Sequence, residues 1–151
     1  MAAVIRRLTH TDAGSEVIEM ALVTPILLLL ILGMVDFGFL FQRYVVLTNA
    51  AAEGARVASL PGYNQADVQA RVAAYALAGG IGADDGAVTA SSEAVSIVTP
   101  GGTSPGSRVT VAHVYNFQFV GPIVALVGGS MGGNVTLTSR SVVRHQVAAA
   151  P

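Results

Sequence analysis

An apolar run near the N-terminus constrains this chain more than any other feature. From Met20 to Val35 the sequence has no charged residue, and as a helix this run would extend about 24 Å. That is slightly less than the roughly 30 Å of a bilayer's hydrocarbon core. Extension through Phe41 makes the segment long enough, with Asp36 as its one charge. We therefore predict that residues 15–41 form a transmembrane helix.

The composition fits one modest domain attached to a membrane. The chain has 151 residues, of which 52% are hydrophobic and 11% charged, so it is too apolar for an ordinary soluble domain. The net charge is −1 and the arginines are scattered, so we expect no nucleic-acid partner. Cysteine is absent, which excludes disulfides, thiolate metal sites and a cysteine nucleophile.

Acidic residues border the apolar run on both sides. Glu19 and Asp36 lie about 25 Å apart along a helix, so each would sit near one edge of the bilayer, where an acid costs less than at the centre. Arg6 and Arg7 precede the span and favour a cytoplasmic N-terminus. A cleaved secretory signal fits less well, because the run is too long and Asp36-Phe37-Gly38 stands in place of an A-x-A site.

The helix is predicted to continue outside the membrane over residues 42–60. No proline interrupts this stretch until the breaker pair Pro61-Gly62. Glu53 and Arg56 can pair on its surface, whereas Pro25 predicts a kink in the membrane half. Small and apolar residues at helical spacing predict a narrow packing stripe, formed by Tyr44, Leu47, Ala51, Gly54 or Ala55, and Ala58.

Residues 61–151 are predicted to form a small α+β domain. Residues 66–77 have the spacing of a short amphipathic helix, and three alternating segments rich in β-branched residues predict strands at 94–98, 108–119 and 134–145. "TPGGTSPGS" suits a hairpin turn, and "GPIVALVGGSMGG" is an unusually apolar loop. The simplest architecture is a three-stranded antiparallel sheet against the outer half of the long helix.

No constellation of residues in this sequence supports an enzyme. His10, His113 and His145 are dispersed without ligand spacing, and His113 is expected to be a packed neutral side chain on the apolar face of a strand. Asp84-Asp85 offers too few ordered oxygens for a calcium loop, and no P-loop is present. We therefore expect no catalytic residue, no metal and no cofactor.

The N-terminal pattern is a basic leader, Gly14, Glu19 five residues later, and then the apolar helix with a small β-rich domain. This combination resembles type IV pilin-like subunits. More specifically, residues 14–59 resemble the TadE-like family of tight-adherence (Flp-type) pilus systems. The resemblance rests on Glu19, Pro25, Gly33, Asp36-Phe37-Gly38, Asn49-Ala50-Ala51 and Glu53-Gly54-Ala55-Arg56.

The resemblance implies an α+β, type IV pilin-like fold and a role as a minor pilin or pseudopilin. A prepilin peptidase would remove residues 1–14 after Gly14 and leave Ser15 as the new N-terminus. Glu19 would then neutralise the α-ammonium of a neighbouring subunit, a contact worth more in low dielectric than in water. Pro25 and Asp36 are further candidates for subunit packing.

The partners implied are membrane lipid, other pilins or pseudopilins, the prepilin peptidase and the Tad secretion machinery. The implied location is the bacterial inner membrane, with one span, the domain outside and later incorporation into a pilus. An uncleaved, membrane-anchored assembly or scaffold protein is the alternative. A membrane-tethered enzyme or sensor has no support in the residues.

Overall fold

The computed structural model describes residues 12–126, 128–129 and 134–145. Most of the predicted leader, with Arg6, Arg7 and His10, lies outside this part of the chain. The elements are α1 (Asp12–Ala58), α2 (Gln65–Ala78), β1 (Val88–Thr99), β2 (Gly102–Asn116), α3 (Val120–Leu126) and β3 (Asn134–Arg144), with a 3-10 turn at Ala83–Asp85. A long apolar helix, a short second helix and a three-stranded antiparallel sheet confirm the predicted α+β, pilin-like fold.

Helix α1 is a single rod of 47 residues, about 70 Å long. It continues through Pro25, and the predicted kink there stays a prediction. Every residue from Gly14 to Leu28 is exposed. Within the described part of the chain, α1 is the one helix long and apolar enough to cross a membrane, and its most apolar 18-residue window has a mean hydropathy of 2.5 with nothing buried. This is consistent with a single-pass membrane anchor.

The domain packs against the C-terminal half of α1. Leu47, Ala51 and Ala55 are fully buried there, as the predicted stripe requires. Tyr44 was assigned to that stripe wrongly, because it is 45% exposed. The buried face also includes Ala50. The side chains that meet it are mostly β-branched and come from α2 and the sheet: Val68, Val72, Val109, Val111 and Leu137.

Helix α2 agrees closely with the predicted helix at 66–77 and covers one edge of the sheet. Gln65 and Gln69 donate side-chain hydrogen bonds to the carbonyl oxygens of Ala90 and Val88. The same two side chains accept hydrogen bonds from the amides of Ser92 and Ala90. Since β1 is an edge strand, these bonds satisfy backbone groups that would otherwise be open to another chain.

The sheet has the order β1-β2-β3 with antiparallel neighbours, but two strands begin earlier than predicted. β1 starts at Val88 rather than at 94, and β2 starts at Gly102 rather than at 108. The turn contains Pro100 and Gly101 alone, because Thr99 pairs with Gly102, whose φ of 121° favours glycine. The glycine- and proline-rich segment that predicted a long turn is therefore mostly strand.

The connection between β2 and β3 also differs from its predicted form. β2 ends at Asn116, not at 119, and Val120–Leu126 forms α3 instead of an irregular loop. Residues 127 and 130–133 of this connection lie outside the described part. The predicted third strand is confirmed as Asn134–Arg144.

Gly54→Ala tests the close packing of the domain on α1. A Cβ at Gly54 would lie 2.6 Å from Cγ2 of Val72 and 3.3 Å from Cγ1 of Val109. We expect Gly54→Ala to lower the free energy of unfolding by about 1–3 kcal/mol, since overpacking outweighs the better helix propensity of alanine. Chemical denaturation of the full chain in detergent measures this change.

Gly38→Ala is the matched control, because a Cβ at Gly38 of the same helix meets nothing within 4 Å. That variant should be as stable as the wild type or slightly more stable. Equal stability of the two alanine variants would contradict the packing described above.

Candidate functional site

The predicted processing residues lie on the exposed N-terminal part of α1. Gly14 and Ser15 fall within the first turns of the helix, which begins at Asp12. Helical structure therefore extends into the predicted leader. Cleavage after Gly14 stays a prediction.

Glu19 projects from the exposed part of α1, one turn after Ser15. In the described part of the chain, no hydrogen bond or ion pair joins its carboxylate to another residue. Glu16 and Val23 lie one turn away on the same helical face, so the acid is flanked by another carboxylate and by an apolar side chain of its own helix. An exposed carboxylate at the edge of an apolar surface can accept a cationic group from outside the chain. Pro25, nearly two turns farther along the helix, is also exposed.

Asp36 has the opposite environment, because it is fully buried under the segment that follows β2. One oxygen, Oδ2, accepts hydrogen bonds from the backbone amides of Val120 at 2.8 Å and Phe119 at 3.0 Å. The other, Oδ1, accepts from the amide of Gln118 at 3.2 Å and also from Phe119. Three amides at the start of α3 thus converge on one carboxylate, an arrangement that stabilises a negative charge.

A hydrogen bond to the backbone of Asp36 also holds this end of the sheet to α1. The hydroxyl of Tyr115 donates to the backbone carbonyl oxygen of Asp36 at 3.1 Å, inside the core. The side chain and the backbone of Asp36 are therefore both bonded within the chain. A role of Asp36 in subunit packing stays a prediction, but its carboxylate oxygens already have partners.

A small polar cavity of about 100 Å³ lies beside this junction. Arg43 Nη2 forms a 2.7 Å ion pair with Oδ1 of Asp85, and the Arg43 guanidinium lies 5.6 Å from the centre of the Tyr115 ring. The hydrogen bond from Arg43 lowers the pKa of Asp85 below its ordinary value. The 3-10 turn that carries Asp85 is thereby tied to α1.

His113 borders this cavity and is 1% exposed. Burial lowers its pKa, and the nearby Arg43 charge lowers it further, so both effects favour the neutral imidazole. This agrees with the packed, neutral histidine that the sequence predicts. Among the described residues, no group of three or more His, Asp or Glu side chains is placed to hold a metal ion.

The run from Glu53 to Arg56 connects α1 to α2. The Glu53 carboxylate binds Arg56, as predicted, and also Arg71 of α2 at 2.7 Å. Hydrogen bonds from Arg56 and then from Arg71 lower the pKa of Glu53 from 4.5 to about 2. The ion pair with Arg71 could not be derived from sequence spacing, since its partners are 18 positions apart.

Replacement of Asp36 tests the attachment of α3. Asp36→Asn keeps the shape of the side chain but puts a donor where one acceptor oxygen was, so at least one buried amide loses its partner. We expect a loss of about 1–3 kcal/mol in unfolding free energy. We also expect faster amide exchange in a peptide covering 117–126, measured by hydrogen–deuterium exchange mass spectrometry.

The control for this change is Asp84→Asn, because Asp84 is exposed on the 3-10 turn. It should leave exchange in 117–126 unchanged. If Asp36→Asn also leaves that exchange unchanged, Asp36 does not hold α3 in place.

Comparison with known proteins agrees with the N-terminal pattern. The family model described as TadE-like protein matches residues 14–56. No curated protein and no solved structure gives a significant match to the chain. The match covers most of α1, including Gly14, Glu19 and Asp36, and stops before α2. Residues 14–56 are thus similar to the TadE-like family over less than a third of the chain, which confirms the predicted resemblance.

Proposed function

We propose that this protein is a non-catalytic, pilin-like subunit of a Tad/Flp-type pilus or of its assembly apparatus, and that it packs through its N-terminal helix. The observation that carries the proposal is the exposure of the N-terminal third of α1. Its residues from Gly14 to Leu28 are all exposed, while the same helix is buried by its own domain farther on. The TadE-like match over this helix supports the same assignment.

The exposed apolar side chains require a non-aqueous environment. Burial of apolar surface is favourable by roughly 25 cal/mol per Å², so a helix this apolar is unstable in water. Before assembly, lipid would surround it as a single-pass anchor in the cytoplasmic membrane. In a filament, the same side chains would pack against the helices of other subunits.

Glu19 would set the register between those helices. In our proposal, prepilin peptidase cuts after Gly14, and the new α-ammonium of Ser15 on one subunit meets the Glu19 carboxylate of another. The pairing is strong in an apolar surrounding and costly to break there, because each charge would otherwise be buried alone. The Glu19 carboxylate is exposed and has no hydrogen bond or ion pair among the described residues, which supports this role.

The N-terminal residue of the mature protein tests processing. Intact-mass analysis of protein from membranes and from sheared filaments should find a species that begins at Ser15. In cells without the peptidase, the full-length chain should accumulate in the membrane. A full-length species alone, with the peptidase present, would exclude processing and favour the uncleaved assembly protein.

Substitution of Glu19 tests its role in assembly. Glu19→Gln removes the charge at constant size, and we expect at least tenfold less protein in sheared filaments, with unchanged amounts in the membrane. Glu16→Gln is the matched control one turn earlier, exposed on the same helix, and should incorporate normally. Equal incorporation of both variants would show that Glu19 is not the register contact.

A further inference from the structure

We propose that α3 and the phenylalanines around it form a second membrane contact, which lies in the lipid headgroup and upper acyl region on the domain side of the bilayer. The occupant is the lipid that also surrounds α1, so the proposal rests on the membrane anchor within the proposed function. The surface, here called the α3 patch, comprises Phe37, Phe39, Phe117, Phe119 and residues 120–125.

The course of β2 puts the α3 patch at the membrane end of the domain. β2 runs opposite to α1, from Ser107, whose hydroxyl donates to the Ala58 carbonyl oxygen, to Tyr115, which binds the Asp36 carbonyl oxygen. α3 follows immediately and begins beside Gly33, since a Cβ there would lie 3.9 Å from Val120. α3 therefore lies at the level of α1 where the charge-free run ends.

Helix geometry places that level at the boundary of the bilayer. Gly33 lies about 20 Å along the helix from Met20, and Phe41 lies about 32 Å from it. The hydrocarbon core is about 30 Å thick. With Met20 at one face of that core, residues 33–41 cross the opposite boundary, and α3 lies beside them.

The chemistry of the α3 patch suits this depth. Phe37, Phe39 and Phe119 remain 55%, 43% and 39% exposed, although their rings pair with neighbours across the junction. From residue 114 to 139 the chain has no Asp, Glu, Lys, Arg or His. Exposed aromatic rings beside an apolar helix, without charges, are typical of segments in the membrane interface.

The α3 patch also explains how Asp36 is accommodated. To reach the full bilayer thickness, the span must include or approach this acid, which would be costly in lipid. The amides of residues 118–120 bind its carboxylate and cover it, so the carboxylate itself is not exposed to lipid. The exposed apolar surface of α1 then continues onto α3 without a break.

Tryptophan fluorescence tests this contact, because the wild-type chain has no tryptophan. Phe119→Trp reports on the α3 patch, and Phe37→Trp gives a second reading from the α1 side. Leu28→Trp reports on the centre of the span. Tyr63→Trp is the control beyond the far end of the α1 helix, where Tyr63 is 54% exposed. Each full-length variant is placed at one copy per nanodisc, with lipids brominated near the headgroup or deep in the acyl chain.

We expect the emission of Phe119→Trp and of Phe37→Trp to fall by about half with the shallowly brominated lipid. The deeply brominated lipid should quench Leu28→Trp, and aqueous iodide alone should quench Tyr63→Trp. These three patterns together would place the α3 patch in the interface, between the centre of the span and the water.

Other patterns of quenching would overturn the proposal. If Leu28→Trp is quenched by lipid while both α3-patch variants respond like Tyr63→Trp, the α3 patch does not contact lipid and the proposal is wrong. If the emission of Phe119→Trp is protected from aqueous iodide only in discs that hold two copies of the chain, the α3 patch contacts another subunit and the proposal is wrong. Absence of quenching in Leu28→Trp would refute the membrane anchor itself.

Discussion

Close packing between the small-residue face of α1 and the β-branched side chains of α2 and β2 is the interaction on which this structure depends. Gly54 admits Val72 and Val109 to within contact distance of the helix backbone. A flexible linker between anchor and domain would leave their separation free to vary. Here the domain packs directly on the apolar helix, so the rise of that helix fixes the position of the domain along α1.

The sheet is fastened to that helix at two levels. Ser107 binds the carbonyl oxygen of Ala58 near the C-terminal end of α1, and Tyr115 binds that of Asp36, about 33 Å nearer the N-terminal end of the helix. Asp36 adds three amides at the lower level. A pulling force along α1 would therefore be shared between the attachments at both ends of β2, instead of acting on one end alone.

The sequence predicted this fold best where periodicity and composition agree. The long helix, the second helix and β3 follow from apolar spacing, β-branched content and the Pro61-Gly62 break. The early start of β2 differs from the prediction because glycine and proline at 101–106 signal a turn, whereas strand pairing across the hairpin overrides that local preference. The first residues of β1, 88–93, are rich in alanine and serine and give a weak strand signal, but they pair with residues 108–113 of β2. α3 was missed because its stabilising partner, Asp36, lies more than eighty residues away in sequence.

The same comparison divides the TadE-like segment into two parts with different physical roles. Gly14, Glu19 and Pro25 lie on the exposed part, where no domain residue constrains them. Asp36, Glu53 and Gly54 face the chain's own domain, through α3, α2 and β2. The sequence signalled Asp36 as an acid in an apolar span without showing what would satisfy it.

A domain could differ widely in sequence and still pack on this helix if it met three requirements. It would need backbone amides that bind Asp36, a cationic side chain that binds Glu53, and β-branched side chains that pack on the small-residue face of α1. Val72, Arg71 and residues 118–120 meet those requirements here, and all of them lie beyond the TadE-like match. The small-residue face of α1 thus limits the geometry of the attached domain much more tightly than it limits the amino-acid sequence of that domain.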